Sequence, residues 1–213
     1  MYKIPHFTET DQDEVRSFIK SHPFVTLIGA DGNRSVATQV PVLIEEHGDN
    51  IVLMGHIMKK TDHHLVFEKN KDVLVMFTGP HCYVSASWYS QRGIGGSWNY
   101  ITVHARGRIE LMDEAGTVGI LTALTHKFEE GQSQPELVEN MSSEYINTHV
   151  KAIAGFRISI YDIHPIFKLS QNRDDQSYQN IISKLEDAND AGARVIAGEM
   201  KKRRPLLYGL PQK

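Results

Sequence analysis

Phe24-Val25-Thr26-Leu27-Ile28-Gly29, then Asp31-Gly32-Asn33, then Ser35-Val36-Ala37-Thr38-Gln39-Val40-Pro41-Val42-Leu43-Ile44 is the stretch whose reading decides the fold class. Two runs rich in β-branched and apolar residues, separated by a glycine-containing turn, predict a β-hairpin. Pro41 has no N–H to give to a ladder, so the second run is expected to carry an edge or a bulge there. After Glu45-Glu46-His47-Gly48-Asp49-Asn50 a third strand follows at Ile51-Val52-Leu53-Met54-Gly55-His56, and the three together read as a meander.

Working outward, Thr10-Asp11-Gln12-Asp13-Glu14 with Val15, Phe18 and Ile19 at helical spacing predicts an opening helix stopped by Pro23. Thr61 is placed to cap a second helix carrying Leu65, Val66 and Phe67. Strand composition returns at 72–79, 82–85 and 100–111, with a flexible loop at Gln91-Arg92-Gly93-Ile94-Gly95-Gly96. Helices are expected at about 114–130 and, after Pro135, at 136–150. Ala154 to Ile163 alternates and rejoins the sheet. From Ser177 the pattern is polar and helical, ending in Lys201-Lys202-Arg203-Arg204-Pro205, which reads as a solvated, mobile end. Many short strands with few helices make the chain mainly β with flanking helices, an α+β protein, and favour a β-barrel.

The 213 residues allow one large domain or a domain with an appendage, and the net charge of −3 exerts no global pull on nucleic acid or an anionic membrane. Cys82, the single cysteine, forms no intrachain disulfide. Met1-Tyr2-Lys3-Ile4-Pro5-His6 lacks the apolar core of a secretory signal. No apolar run reaches the roughly 20 residues of a membrane span, so a soluble, cytoplasmic protein is expected, with no membrane partner.

Gly79-Pro80-His81-Cys82-Tyr83-Val84-Ser85-Ala86-Ser87-Trp88-Tyr89 and Ser97-Trp98-Asn99-Tyr100-Ile101-Thr102-Val103-His104-Ala105-Arg106-Gly107 hold both tryptophans beside hydroxyl and imidazole groups. Such runs suit either a flat aromatic ligand or a subunit interface. His56, His63, His64, His81 and His104 are five of the 11 histidines, but no His-x-x-x-His pair and no cysteine cluster supports a metal site, and none is expected. His81 and Cys82, adjacent on a strand, point to opposite faces, which argues against thiol catalysis.

Six blocks, Ser21 to Leu27, Ala37 to Pro41, Met54-Gly55-His56, Gly79 to Tyr89, Trp98-Asn99-Tyr100 with Val103-His104, and Phe167-Lys168-Leu169-Ser170-Gln171-Asn172-Arg173, occur in the order seen in the PaiB family. The chain resembles that family, described as FMN-binding negative transcriptional regulators and similar to pyridoxamine-phosphate-oxidase-like split barrels, which are usually homodimers. The resemblance implies an FMN-binding split β-barrel over residues 1–175, with a helical insertion around 114–150. It leaves 176–213 as a C-terminal helical extension and basic tail.

What the resemblance implies for sites is specific. Lys59, Lys60 and Thr61 would hold the FMN phosphate, where a solvated surface turn is the alternative. Thr38 and Gln39, beside Val40, would meet the flavin ring edge, where plain sheet packing is the alternative. His56, His81 and His104 lie in matched blocks, the latter two suited to polarise a carbonyl or carry a proton. Trp98 and Asn99 would wall the ring site or the dimer seam. Lys168, Ser170, Gln171 and Arg173 would meet a phosphate or an acidic surface. The chain departs from the family pattern at Thr61-Asp62-His63-His64, which lacks the family's Asn-Pro pair and following tryptophan. The implied function is FMN binding, with flavin-dependent redox activity as a further expectation. The alternatives are a regulator acting through a partner or DNA, although no helix-turn-helix unit is visible, and a haem-binding or haem-degrading barrel.

Overall fold

The first helix, α1 (Gln12–Ser21), starts where the Asp11 carboxylate accepts the backbone N–H groups of Asp13 and Glu14 at 3.0 and 3.2 Å. It buries Val15, Phe18 and Ile19. The computed structural model describes residues 4–32 and 34–208; Asn33 of the expected turn and the first three residues of the run Met1 to His6 lie outside them.

β1 (Phe24–Ala30) pairs antiparallel with β2 (Ser35–Pro41) from Phe24↔Pro41 to Ala30↔Ser35, as expected of the hairpin. The run 35–44 is nevertheless two strands. Val42 donates its N–H to Pro23 O at 2.8 Å, and β3 (Leu43–His47) pairs with β4 (Asn50–Met58). The break falls at Pro41, where the missing N–H releases the chain from its first partner. The meander is thereby corrected: the sheet order is β2-β1-β5-β6-β7-β4-β3, with the two hairpins at its opposite ends.

β5 (Asp72–Val84) is a single strand where two were expected. Its ladder with β1 covers Leu74 to Met76, and Pro80 lies beyond it, where no β1 carbonyl calls for its N–H. β6 (Ser97–Leu111) and β7 (Ile153–Lys168) are also longer than expected. α2 (Asp62–Lys69) and α3 (Glu114–Glu129) match their expected positions, but the helix expected over 136–150 does not form in full. A short 3-10 turn at Val138–Asn140 precedes α4 (Ser143–Val150), which begins where Ser142 Oγ accepts Tyr145 N–H at 3.1 Å. The polar C-terminal pattern resolves into α5 (Asp175–Glu186) and α6 (Ala191–Arg203).

The chain divides into two compact units. The first comprises Met1–Ser17, Thr78–Val103 and His164–Lys213; the second comprises Phe18–Phe77 and His104–Ile163.

In the second unit Leu27, Leu53, Val75, Phe77, Phe156 and Ile158 are fully buried. β4 meets the end of β2 at Gly55, where an added Cβ would lie 2.9 Å from Pro41 O and 2.7 Å from the Phe156 ring. A glycine is required by that approach. α3 covers one face of β3 and β4, packing Ile120 and Leu124 against Leu43, with Met54 and Met112 at the margin. Thr117 fastens it by donating to Asp113 O at 2.7 Å while accepting Gly155 N–H at 2.9 Å.

In the first unit α5 and α6 bury Tyr178, Ile181, Ile182 and Leu185 together with Ala193, Ile196, Ala197 and Met200. Tyr178 donates its hydroxyl to Met200 O at 2.8 Å, joining the two helices. The expected solvated end is corrected here. Arg203 pairs with Glu9 at 2.8 Å and with Glu199 at 3.1 Å, with its side chain 17% exposed, and Lys201 pairs with Glu186. Glu199 is four residues from Arg203, but Glu9 is 194 residues away, a partner that composition does not reveal.

Candidate functional site

In the second unit, β2 places Thr38 half-buried, Gln39 exposed and Val40 buried, opposite Leu27, Thr26 and Val25 of β1. β4 places His56 opposite Gly155. Burial pushes the His56 pKa below its ordinary 6.5, and its Nδ1 is enclosed with no hydrogen-bond partner among the described residues. A neutral imidazole whose enclosed nitrogen lacks a partner can donate or accept a hydrogen bond, depending on its tautomer. His104, on β6, is half-buried in the same unit.

β4 runs out into Lys59-Lys60-Thr61. Lys59 is tethered twice, by its N–H to Ala152 O at 2.8 Å and by Nζ to Val150 O at 3.3 Å. Lys60 is exposed and adopts φ 64°, a left-handed conformation that costs a non-glycine residue roughly 1 kcal/mol or more. Thr61 caps α2, accepting His64 N–H at 3.4 Å and donating to Met58 O at 2.8 Å. The segment that departs from the family pattern is internally bonded. His63 Nε2 lies 3.0 Å from Thr61 Oγ1, and its Nδ1 lies 3.3 Å from Asp62 Oδ1. Asp62 is thus engaged by His63, and two lysines precede a helix N-terminus. The two lysines fit a phosphate monoester by charge, to which the positive end of α2 adds, while the His63, His64 and Leu65 N–H groups are taken by Asp62 Oδ1, Thr61 Oγ1 and Thr61 O.

In the first unit, alternation along β5 and β6 exposes His81, Tyr83 and Trp98 while burying Cys82 and Asn99. The Tyr83 and Trp98 rings meet edge to face at 5.8 Å between centroids, and His81 lies 6.2 Å from Trp98. Tyr83 and Trp98 are each 52% exposed, so this is an open aromatic surface. On the other side of the strand, burial and then the Asp190 charge push the Cys82 thiol up to about 11. His81 and Cys82 do face oppositely.

The late block is held from within. Ser170, at φ 61°, donates to Asn99 Oδ1 at 3.0 Å, while Asn99 Nδ2 reaches Met200 Sδ at 3.5 Å. Gln171 Oε1 accepts Leu169 N–H at 2.7 Å. Lys168 Nζ donates to Ser97 Oγ at 2.6 Å and lies 5.8 Å from the Phe7 ring centre and 6.0 Å from that of Tyr100. Burial, then the Arg173 charge, lowers its pKa. The Arg173 guanidinium lies 4.1 Å from the Tyr89 ring centre. Lys168 and Arg173 therefore keep cationic groups over aromatic faces, whereas the side chains of Ser170 and Gln171 are occupied by the fold.

Sequence reasoning missed Arg204. Its Nη2 donates to Gln171 O at 2.9 Å and Arg173 O at 2.6 Å, Nη1 pairs with Asp175 at 2.5 Å, and the guanidinium lies 4.2 Å from the Tyr178 ring centre. The signal was the helical spacing of Ile181, Ile182, Leu185, Ile196 and Met200, which marks a packed helix pair rather than a loose tail.

The expected site residues thus fall into two sets. Thr38, Gln39, Val40, His56, Lys59, Lys60, Thr61 and His104 belong to the second unit; His81, Trp98, Asn99, Lys168, Ser170, Gln171 and Arg173 belong to the first. Among the described residues, Lys60 and Ser170 are the non-glycine residues at positive φ, one in each set.

A family described as "Putative FMN-binding domain" matches residues 1–162. The chain is 32% identical over 201 residues to the protease synthase and sporulation protein PAI 2 of Bacillus subtilis, covering 94% of this chain and 97% of that protein. Its fold is shared with the flavocytochrome Anf3 of Azotobacter vinelandii, at TM-score 0.57 and 16% identity over 84% of this chain and 78% of that one. It is also shared with the FAD and heme binding protein of Mycobacterium smegmatis, at TM-score 0.54 and 16% identity over 83% and 79%. With the family match spanning most of its length and PAI 2 aligned nearly end to end, the chain belongs to the PaiB family of FMN-binding proteins, on an α+β split barrel.

Proposed function

We propose that this chain is a cytoplasmic, homodimeric flavin-dependent regulator that holds the FMN phosphate at the turn between β4 and α2. The observation that carries the reading is Lys60 in a left-handed conformation between a tethered lysine and the helix cap Thr61. Lys59 and Lys60 supply positive charge there, and the positive end of the α2 dipole adds to it. Thr38 and Gln39 offer uncharged groups to the ring edge, and the free nitrogen of His56 offers a neutral hydrogen-bonding atom. When bound, FMN supplies one- and two-electron redox chemistry. The aromatic surface of His81, Tyr83 and Trp98 is assigned to the partner copy. Regulation in this reading acts through a protein partner rather than DNA, because Lys201, Arg203 and Arg204 are already paired with Glu186, Glu9, Glu199 and Asp175.

The test is a fluorescence titration of the apoprotein with FMN and with riboflavin, which lacks the phosphate. FMN should bind more tightly than riboflavin by about tenfold or more, the worth of a charge-assisted contact, and K59Q/K60Q should remove that advantage while leaving riboflavin binding unchanged. Equal affinities for the two flavins, or an FMN affinity untouched by the double substitution, would sink the reading.

A further inference from the structure

A groove of about 420 Å³ opens in the second unit at the far end of β4 from Lys59. Asn50 and Lys59 are nine residues apart on an extended strand, about 30 Å at the usual rise, so the groove is separate from the proposed phosphate turn.

The strand register builds it. His47 pairs with Asn50, Val52 with Ser159, and Met54 with Arg157, and directly opposed residues share a sheet face. His47, Asn50, Val52, Arg157 and Ser159 therefore project on one side, beside the area that α3 covers. Val52 is 5% exposed and forms an apolar floor, with Ile51 and Ile160 at the margins. The polar groups around it are a guanidinium, a hydroxyl, an amide and an imidazole. Arg157 has no ion pair or hydrogen bond from its side chain among the described residues. On this face Glu45 lies 3.2 Å from His47, Asp49 sits in the adjoining turn with an interaction of its own, and the bond from Met112 N–H to Gly155 O sets Glu110 of β6 across from Arg157.

We propose that this groove binds a small organic monocarboxylate, with Arg157 gripping the carboxylate and Val52 receiving the apolar body. One planar guanidinium matches one carboxylate in a two-pronged hydrogen bond. Among the described residues that line the groove Arg157 is the one lysine or arginine, which favours a monoanion over a phosphate dianion. Ser159 and Asn50 supply further donors at the rim.

The experiment is chemical-shift mapping of the full-length, isotope-labelled protein titrated with benzoate, its neutral analogue benzamide, and inorganic phosphate. Benzoate should move the Asn50, Val52 and Ser159 amides saturably and bind at least about tenfold more tightly than either benzamide or phosphate. R157Q should weaken benzoate by about tenfold or more, and R157K, which keeps the charge without the fork, should fall between. FMN affinity should be the same in R157Q as in the parent, which separates this site from the flavin reading. Absence of saturable shifts, equal binding of benzamide, tighter binding of phosphate, or an unchanged benzoate affinity in R157Q would each overturn the proposal.

Discussion

Ser170 donates its hydroxyl to Asn99 Oδ1 at 3.0 Å with both residues buried, joining the Trp98-Asn99-Tyr100 run to the Phe167–Arg173 block. Ser170→Ala strands the Asn99 carbonyl and keeps a β-carbon at φ 61°, so it should cost about 1–3 kcal/mol. Ser170→Gly loses the same hydrogen bond but relieves roughly 1 kcal/mol of left-handed strain. Urea denaturation should therefore rank the parent above the glycine variant and the glycine variant above the alanine variant. The reverse order of the two variants would refute the strain assignment.

Arg204 fastens the late block through the carbonyls of Gln171 and Arg173, with its side chain 23% exposed. Lysine keeps the charge but has no fork to span two carbonyls, so Arg204→Lys should destabilise by about 1–3 kcal/mol. Arg203 and Glu9, each 17% exposed, should show a coupling of about 0.5–3 kcal/mol in a double-mutant cycle. Additive effects at that pair would return the tail to the solvated state expected from composition.

Asp174 caps α5 by accepting Ser177 N–H at 2.9 Å and Ser177 Oγ at 2.7 Å, and Ser90 Oγ adds contacts at 3.1 Å. These bonds, led by the Ser177 N–H, hold its pKa down from 3.8 to about 2. The folded state thus binds its proton less readily than the unfolded chain. The cap's contribution is complete above about pH 4 and is lost as pH falls toward 2. Asp174→Asn should flatten that part of the curve of urea midpoint against pH, measured beside the parent protein.

Gly55 faces Pro41 O and the Phe156 ring so closely that Gly55→Ala must displace backbone or a fully buried ring. The expected loss is about 1–3 kcal/mol, read as a lowered melting temperature. Gly119, where an added Cβ meets nothing within 4 Å, is the control, and Gly119→Ala in α3 should stabilise by about 0.4–1 kcal/mol.

Cys82 is 5% exposed and titrates at about 11, so it should react with a disulfide reagent at pH 8 only after unfolding. Rapid labelling of the native protein would contradict its burial behind His81 and Tyr83.

The hairpin at β1–β2, the capped helix after Thr61 and the alternation of His81, Cys82 and Tyr83 were legible in the chain because each is a local property. A turn, a cap and a period of two are written in neighbouring residues. The partners of the strands were less accessible. Pro41 signalled a break, but it did not show that β3 pairs with β4 at the opposite end of the sheet order from β2. Likewise the family pattern named Ser170 and Gln171 as site residues without showing that Asn99, Leu169 and Phe167 already engage them.

By itself, the sequence determined the family, the α+β class and the residue types available for a flavin phosphate, since composition and ordered motifs survive without coordinates. Only the tertiary structure decided that Lys60 is held in a left-handed turn, that Arg203 and Arg204 bind the body of their own unit, and that Arg157 faces an open groove. Those outcomes depend on which distant groups meet a charge or a backbone carbonyl. Packing sets those meetings across 31 residues between Arg173 and Arg204 and 194 between Glu9 and Arg203, beyond the reach of local pattern.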